Sequence, residues 1–249
     1  MFNFRVGPFI LLYHSISDNS DDPYSMSVAA FREQISWLSG HGFDFVSLSF
    51  LLQSIQTRDY RILTKKVVMT FDDGYQDFVA NALPILLDHR ATATVFLVTD
   101  MLGKRVSWRE YGTDVQLMSE DEVRYIKAKG ISLGSHTSTH ANLTILDNED
   151  LHRQLSDSRY RLTLLGESFY AFSYPWGQWS SQVVNAVKAS GYKCAVIVGG
   201  DMRPDKTDIY CLPRITMTGN MDLKAFRSLF ARPVVKRARK VSRILKKYI

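Results

Sequence analysis

Lys66-Val67-Val68-Met69-Thr70-Phe71-Asp72-Asp73-Gly74-Tyr75 is the stretch that decides the fold. Its apolar run is too short for a helix and reads as a buried strand. Two adjacent carboxylates sit where that strand ends, and Gly74 permits a tight turn before the next helical pattern. If the strand belongs to a β/α barrel, its carboxyl end lies on the active-site face. Taken alone, an Asp-Asp-Gly is more commonly a helix-capping aspartate beside a solvated one, so the surroundings must decide.

On either side of this stretch, short apolar runs alternate with longer helical patterns, the mark of repeated β/α units on a parallel sheet. Strands are predicted at Phe9–Tyr13, Phe43–Val46, Lys66–Phe71, Thr94–Thr99, Ser132–Ser135, Ala171–Tyr174 and Cys194–Val198. Helices are predicted at Ser27–Gly40, Gln76–His89, Ser119–Lys129, Asp147–Leu165 and Ser180–Ser190. Ser119-Glu120-Asp121-Glu122 reads as a capping box, and Gly130 follows the last turn. This pattern predicts an α/β fold, a barrel rather than an open sheet. Met101–Leu117 has no clear period and is expected to be a long loop over one end of it.

At 249 residues, with 45% hydrophobic and 22% charged residues, the chain suits one large soluble domain. The division expected is a barrel over 1–230 and a basic tail over 231–249. Arg232–Ile249 holds eight Lys or Arg and no Asp or Glu, so the chain's 31 basic residues fall to 23 against 25 acidic ones without it. The net charge of +6 therefore belongs to the tail, and a nucleic-acid-binding body is not expected. Cys194 and Cys211 match no metal spacing and are too few for a disulfide framework, and read as reduced thiols of a cytosolic protein. Phe9-Ile10-Leu11-Leu12-Tyr13 is broken by His14 after five residues, too short for a signal or membrane segment.

Chemistry is concentrated at strand ends. Ser135-His136-Thr137-Ser138-Thr139-His140 follows a predicted strand, and imidazoles at i and i+4 on a helical turn reach one metal ion. With a carboxylate from Asp72-Asp73 they make a three-ligand site with positions left for water and substrate, the form of a catalytic metal centre. The second carboxylate is then free to act as general base on the attacking water. A departing amine needs an acid, and His14, ending the first strand, is the candidate; alone it reads equally well as a structural histidine. Tyr174-Pro175-Trp176 reads either as a stiff aromatic wall for a sugar ring or as a core turn.

Together, Thr-Phe-Asp-Asp-Gly at 70–74 and Ser-His-Thr-x-Thr-His at 135–140 resemble the metal-site motifs of the polysaccharide deacetylases, carbohydrate esterase family four. The likeness runs from Phe9 to Ile215 and includes Leu12-Tyr13-His14-Ser15, Ala93-Thr94-Val95-Phe96 and Tyr174-Pro175-x-Gly177. The resemblance implies a distorted (β/α)7 barrel, Asp72 as catalytic base, and Asp73, His136 and His140 as ligands of one divalent ion. That ion is usually zinc, with cobalt, nickel or iron accepted by relatives. Trp176 matches the residue whose backbone N–H helps hold the oxyanion. Two departures stand out: Ser173 occupies the place of an arginine that orients the base, and no histidine follows His152. A branch resembling the poly-N-acetylglucosamine deacetylases carries its acid histidine in an amino-terminal Tyr-His, as in Tyr13-His14, and Arg214 is then the candidate for the missing arginine.

The function expected is removal of the N-acetyl group from an amino sugar in a polysaccharide, an oligosaccharide or a lipid-linked precursor. The alternatives are an O-acetyl esterase and a carbohydrate-binding barrel without activity. In the tail, Val234, Ala238, Val241, Leu245 and Tyr248 recur at helical spacing among basic residues, the pattern of an interfacial helix on anionic lipid. A basic helix packed on the barrel, or a frayed end, fits it as well. The location expected is cytoplasmic, and peripheral at the inner membrane face if the tail binds lipid.

Overall fold

Seven parallel strands close on themselves in chain order: β1 (Phe9–Tyr13), β2 (Lys66–Phe71), β3 (Ala93–Leu97), β4 (Ser132–Ser135), β5 (Ala171–Ser173), β6 (Cys194–Val198) and β7 (Leu212–Thr216). Leu11 marks the closure, standing opposite Met69 of β2 on one side and Ile215 of β7 on the other. A two-residue strand, Asp44–Phe45, pairs among the described residues only with Lys66 and Val67 at the start of β2. The computed structural model describes residues 7–18, 22–107 and 115–231; the basic tail expected over 231–249 lies outside these from Arg232 onward.

Helices α1 (Val28–Gly40), α2 (Leu48–Gln56), α3 (Leu83–Asp88), α4 (Glu120–Ala128), α5 (Asn148–Leu164), α6 (Ser181–Ala189) and α7 (Leu223–Phe230) occupy the connections and the end of the described chain. Ser27, Ser119, Asp147 and Ser180 each accept a backbone N–H at a helix start, and the Ser119–Glu122 capping box is formed. Strand periodicity divides the core. Leu11, Tyr13, Met69, Phe71, Val95 and Leu97 face outward onto Phe31, Ile35, Leu38, Val123 and Ile126 of α1 and α4. Ile10, Val68, Phe96, Ala171, Cys194, Val196 and Leu212 gather with Leu48, Leu51 and Leu52 of α2, which packs against the amino-terminal part of the barrel interior.

Several expectations change. Leu212–Thr216 is a barrel strand that sequence reading passed over, and α2 and α7 are added. The segment predicted as one helix from Gln76 to His89 is a π-helical turn, Phe78–Ala82, running into α3. Within Met101–Leu117, Arg105–Val106 and Val115–Gln116 form a short antiparallel pair. Cys194 and Cys211 are free thiols, and no described helix is long and apolar enough to cross a membrane.

Candidate active site at the carboxyl ends of the strands

Alternation along β2 sends Val68, Thr70 and then Asp72 to the barrel interior, and in β7 it sends Leu212 and Arg214 to the same interior. They meet there. Arg214 Nη1 and Nη2 donate to Asp72 Oδ1 and Oδ2, each at 2.7 Å, a bidentate pair across 142 residues of sequence. Ser173, the last residue of β5, donates to Asp72 Oδ2 at 3.0 Å and accepts from Arg214 Nη2 at 2.9 Å. Thr70 Oγ1 lies 3.3 Å from Arg214 Nη1, and the guanidinium stands 5.7 Å from the centroid of the Phe96 ring. Asp72, Ser173 and Arg214 are all buried. Burial alone pushes the Asp72 carboxyl up, but the charge of Arg214, then that of His136, the Arg214 hydrogen bonds and the charge of His14 outweigh it. The carboxyl is held below the ordinary aspartate range.

Asp73 points to a second group. Its Oδ1 lies 3.4 Å from His136 Nε2 and 3.3 Å from His140 Nε2, and one ligand atom from each of the three lies within 4.8 Å of the others. His136 Nδ1 is 2.8 Å from the carbonyl oxygen of Ser173, which only accepts. Nδ1 therefore carries a proton, and Nε2 is the ring atom that faces Asp73. Two imidazoles and a buried carboxylate converging in this way fit a divalent ion. The expected helical turn between the histidines is absent: Thr137–Thr139 form a turn, with Thr137 at φ 68° and His140 at φ 63°. Asp73 at φ 72° and Trp176 at φ 60° share that left-handed backbone, which is costly for residues with a Cβ and gathers at functional sites.

The remaining expected residues divide. His14 follows β1 at the same end of the barrel and is half-buried, its ring 5.2 Å from that of Tyr24. Trp176 is 46% exposed, stands 4.5 Å from the His140 ring and donates its indole N–H to the His140 carbonyl at 3.0 Å. Tyr174 is turned into the protein. It is buried among Leu143, Phe172 and Val183, and its hydroxyl donates to the Tyr210 carbonyl. Pro175 is buried as well, so the expected aromatic wall reduces to Trp176. Ser173 and Thr70 were missed as partners of the Asp72–Arg214 pair. For Thr70 the signal was its inward strand position; for Ser173 there was also its place where the family's base-orienting arginine stands.

The polysaccharide deacetylase family model matches residues 61–195. That span takes in Asp72, Asp73, His136, His140 and Trp176 and leaves out His14 and Arg214. The Bacillus subtilis protein YxkH is 27% identical over 221 residues, covering 87% of this chain and 74% of its own. A Staphylococcus aureus poly-beta-1,6-N-acetyl-D-glucosamine N-deacetylase is 24% identical over 217 residues, covering 83% and 72%. Among solved structures, the Streptococcus pyogenes deacetylase PplD matches with a TM-score of 0.78 at 22% identity, over 94% of this chain and 100% of that one. With more than half its length inside the family model, and the model's span holding both aspartates and both histidines of the buried cluster, this chain belongs to the polysaccharide deacetylase family.

Proposed function

We propose that the chain hydrolyses the N-acetyl group of an N-acetylated amino sugar, releasing acetate and a free amine on the glycan. The observation that carries this reading is a carboxylate, Asp72, kept ionised by Arg214 directly beside the Asp73, His136 and His140 cluster. A deacetylase needs that pairing, whereas a binding barrel has no use for a buried base. The named substrate of the Staphylococcus aureus relative supports β-1,6-linked N-acetylglucosamine as the first glycan to try, ahead of a lipid-linked precursor.

In this reading Asp73, His136 and His140 hold one divalent ion, zinc first on the nature of its donors. Such an ion supplies Lewis-acid polarisation of the acetyl carbonyl and lowers the pKa of a water beside Asp72. Asp72 takes the proton from that water, with Arg214 and Ser173 fixing its plane and charge. The backbone N–H of Trp176, held in its left-handed turn, faces the oxygen that gains charge as the carbonyl becomes tetrahedral. His14 delivers a proton to the nitrogen as the C–N bond breaks. The eight basic residues of Arg232–Ile249 would bring the enzyme to an anionic membrane surface, where a lipid-linked sugar is presented.

Mass spectrometry of N-acetylated β-1,6-glucosamine oligomers after incubation with the pure protein tests the reading, read alongside acetate release from an O-acetylated glycan. Asp72→Asn is expected to keep the bound metal and lose roughly 10²–10⁴-fold in turnover. Undiminished turnover in that variant would overturn the assignment of the base. Faster release from the O-acetylated glycan would make the protein an esterase.

A further inference from the structure

His14 occupies a one-residue gap between β1 and a second short strand, Ser15–Ile16, which pairs with Ser25–Met26. Its backbone position is therefore set by whatever holds the peptides on either side. On the amino side that is the barrel. On the other side it is a pair of residues from the segment following Asp73. Asp77 Oδ2 accepts from Ser15 Oγ at 2.5 Å, and Oδ1 accepts from the Ile16 N–H at 3.3 Å. Asn81 Nδ2 donates to the Ile16 carbonyl at 2.7 Å, and Ser15 Oγ also meets Ser25 Oγ at 3.0 Å. Both the N–H and the C=O of Ile16 are thus gripped by Asp77 and Asn81.

Those two residues flank and enter the π-helical turn Phe78–Ala82, a rare geometry found frequently at functional sites. The turn is seated on β2 by edge contact between Phe78 and Phe71, ring centroids 4.9 Å apart. It begins five residues after Asp73, so the element that delivers the aspartates also carries the clamp on the segment after His14. The fold holds this carboxyl at a cost to its ionised form, because burial pushes Asp77 up to about 6 against the pull of its hydrogen bonds. What it gains is a fixed peptide beside His14.

We propose that Asp77 and Asn81 are positioning residues for amide hydrolysis, holding His14 at proton-transfer range through the Ser15–Ile16 peptides. The proposal rests on the reading of His14 as the acid. A double-mutant cycle separates the two. Kinetics are measured on an N-acetylglucosamine oligomer, which needs a protonated leaving group, and on 4-nitrophenyl acetate, which does not. Displacements of about an ångström cost on the order of 10²-fold, so Asp77→Ala and Asn81→Ala are each expected to lower kcat on the amide by roughly 10–100-fold. KM, metal content and ester turnover should stay near wild type. Asp77→Asn, which still accepts from Ile16 and can donate to Ser15, should recover most of the loss. In a His14→Ala background Asp77→Ala should cost nothing further. Equal losses on amide and ester, an undiminished penalty in the His14→Ala background, or full amide activity in Asp77→Ala would each overturn the clamp while leaving the acid reading standing. Wild-type amide turnover in His14→Ala alone would remove the acid reading, and the clamp with it. Circular dichroism of each variant, and the milder Asp77→Asn, guard against mistaking unfolding for misplacement.

Discussion

Replacing Arg214 by Met keeps an unbranched apolar stem in the barrel and deletes the guanidinium. The pair it breaks is buried on both sides, with the Arg214 side chain 0% and the Asp72 side chain 4% exposed. Two charge-assisted bonds of 2.7 Å disappear, and the guanidinium's contacts with Ser173 and Thr70 go with them. Asp72 is left as a buried carboxylate with Ser173 Oγ as its remaining described side-chain donor. Stranding one member of such a pair costs about 3–5 kcal/mol. An exposed pair such as Arg124–Glu120 belongs to the class worth about 0.2–1 kcal/mol. For a chain of this length the larger figure corresponds to a fall in Tm of roughly 6–20 °C. Urea denaturation in chelator-treated protein isolates the effect from metal binding. Asp72→Asn/Arg214→Met, which removes both charges, is expected to cost about 2–3 kcal/mol less than the two single changes added. A loss under about 1 kcal/mol for Arg214→Met, or simple additivity in the double variant, would refute the view that this is one desolvated unit.

Three further outcomes follow from the structure. The His136→Ala/His140→Ala variant should lose stoichiometric zinc by elemental analysis, and chelation of the wild type should abolish turnover that added zinc restores; full metal in the double variant would remove the cluster as the binding site. Burial pushes the Asp77 carboxyl from the ordinary aspartate value of 3.8 up to about 6, so it favours folding fully below the lower value, and that contribution is lost as pH rises through the higher one. Asp77→Asn removes the loss, so its stability relative to wild type should increase by about 2–3 kcal/mol between pH 4 and pH 7 at most; a difference independent of pH would contradict the burial argument. At Gly134 a Cβ would stand 2.3 Å from Phe96 Cδ1, against the ring that carries the Arg214 guanidinium, so Gly134→Ala should cost about 1–3 kcal/mol in Tm-derived stability, and an unchanged Tm would show the ring free to move.

Much of this protein is written locally. Apolar runs bounded by turn residues located six of the seven barrel strands, and capping residues located the starts of α1, α4, α5 and α6, because burial and capping act over a few residues of chain. The aspartates and histidines were visible for the same reason: each follows a strand directly, and strand ends share one face of a barrel. The seventh barrel strand was not legible. Leu212-Pro213-Arg214 carries a proline and a charge, both of which argue against a buried strand when read alone. Arg214 is tolerated inside the barrel only because Asp72, Ser173 and Thr70 come to it from β5 and β2. The helical turn expected for His136 and His140 failed similarly, since an i, i+4 spacing permits a helix without requiring one, and tertiary contacts drew the loop into left-handed backbone instead. Tyr174 looked like a sugar platform because an aromatic beside a proline carries no mark of which way it faces; packing against α5 and α6 turned it inward. The sequence by itself thus determined which residue types stand at the strand ends. Which charge meets which, and which ring remains exposed, was decided only when the barrel closed, because burial makes a charge depend on partners that lie far away along the chain.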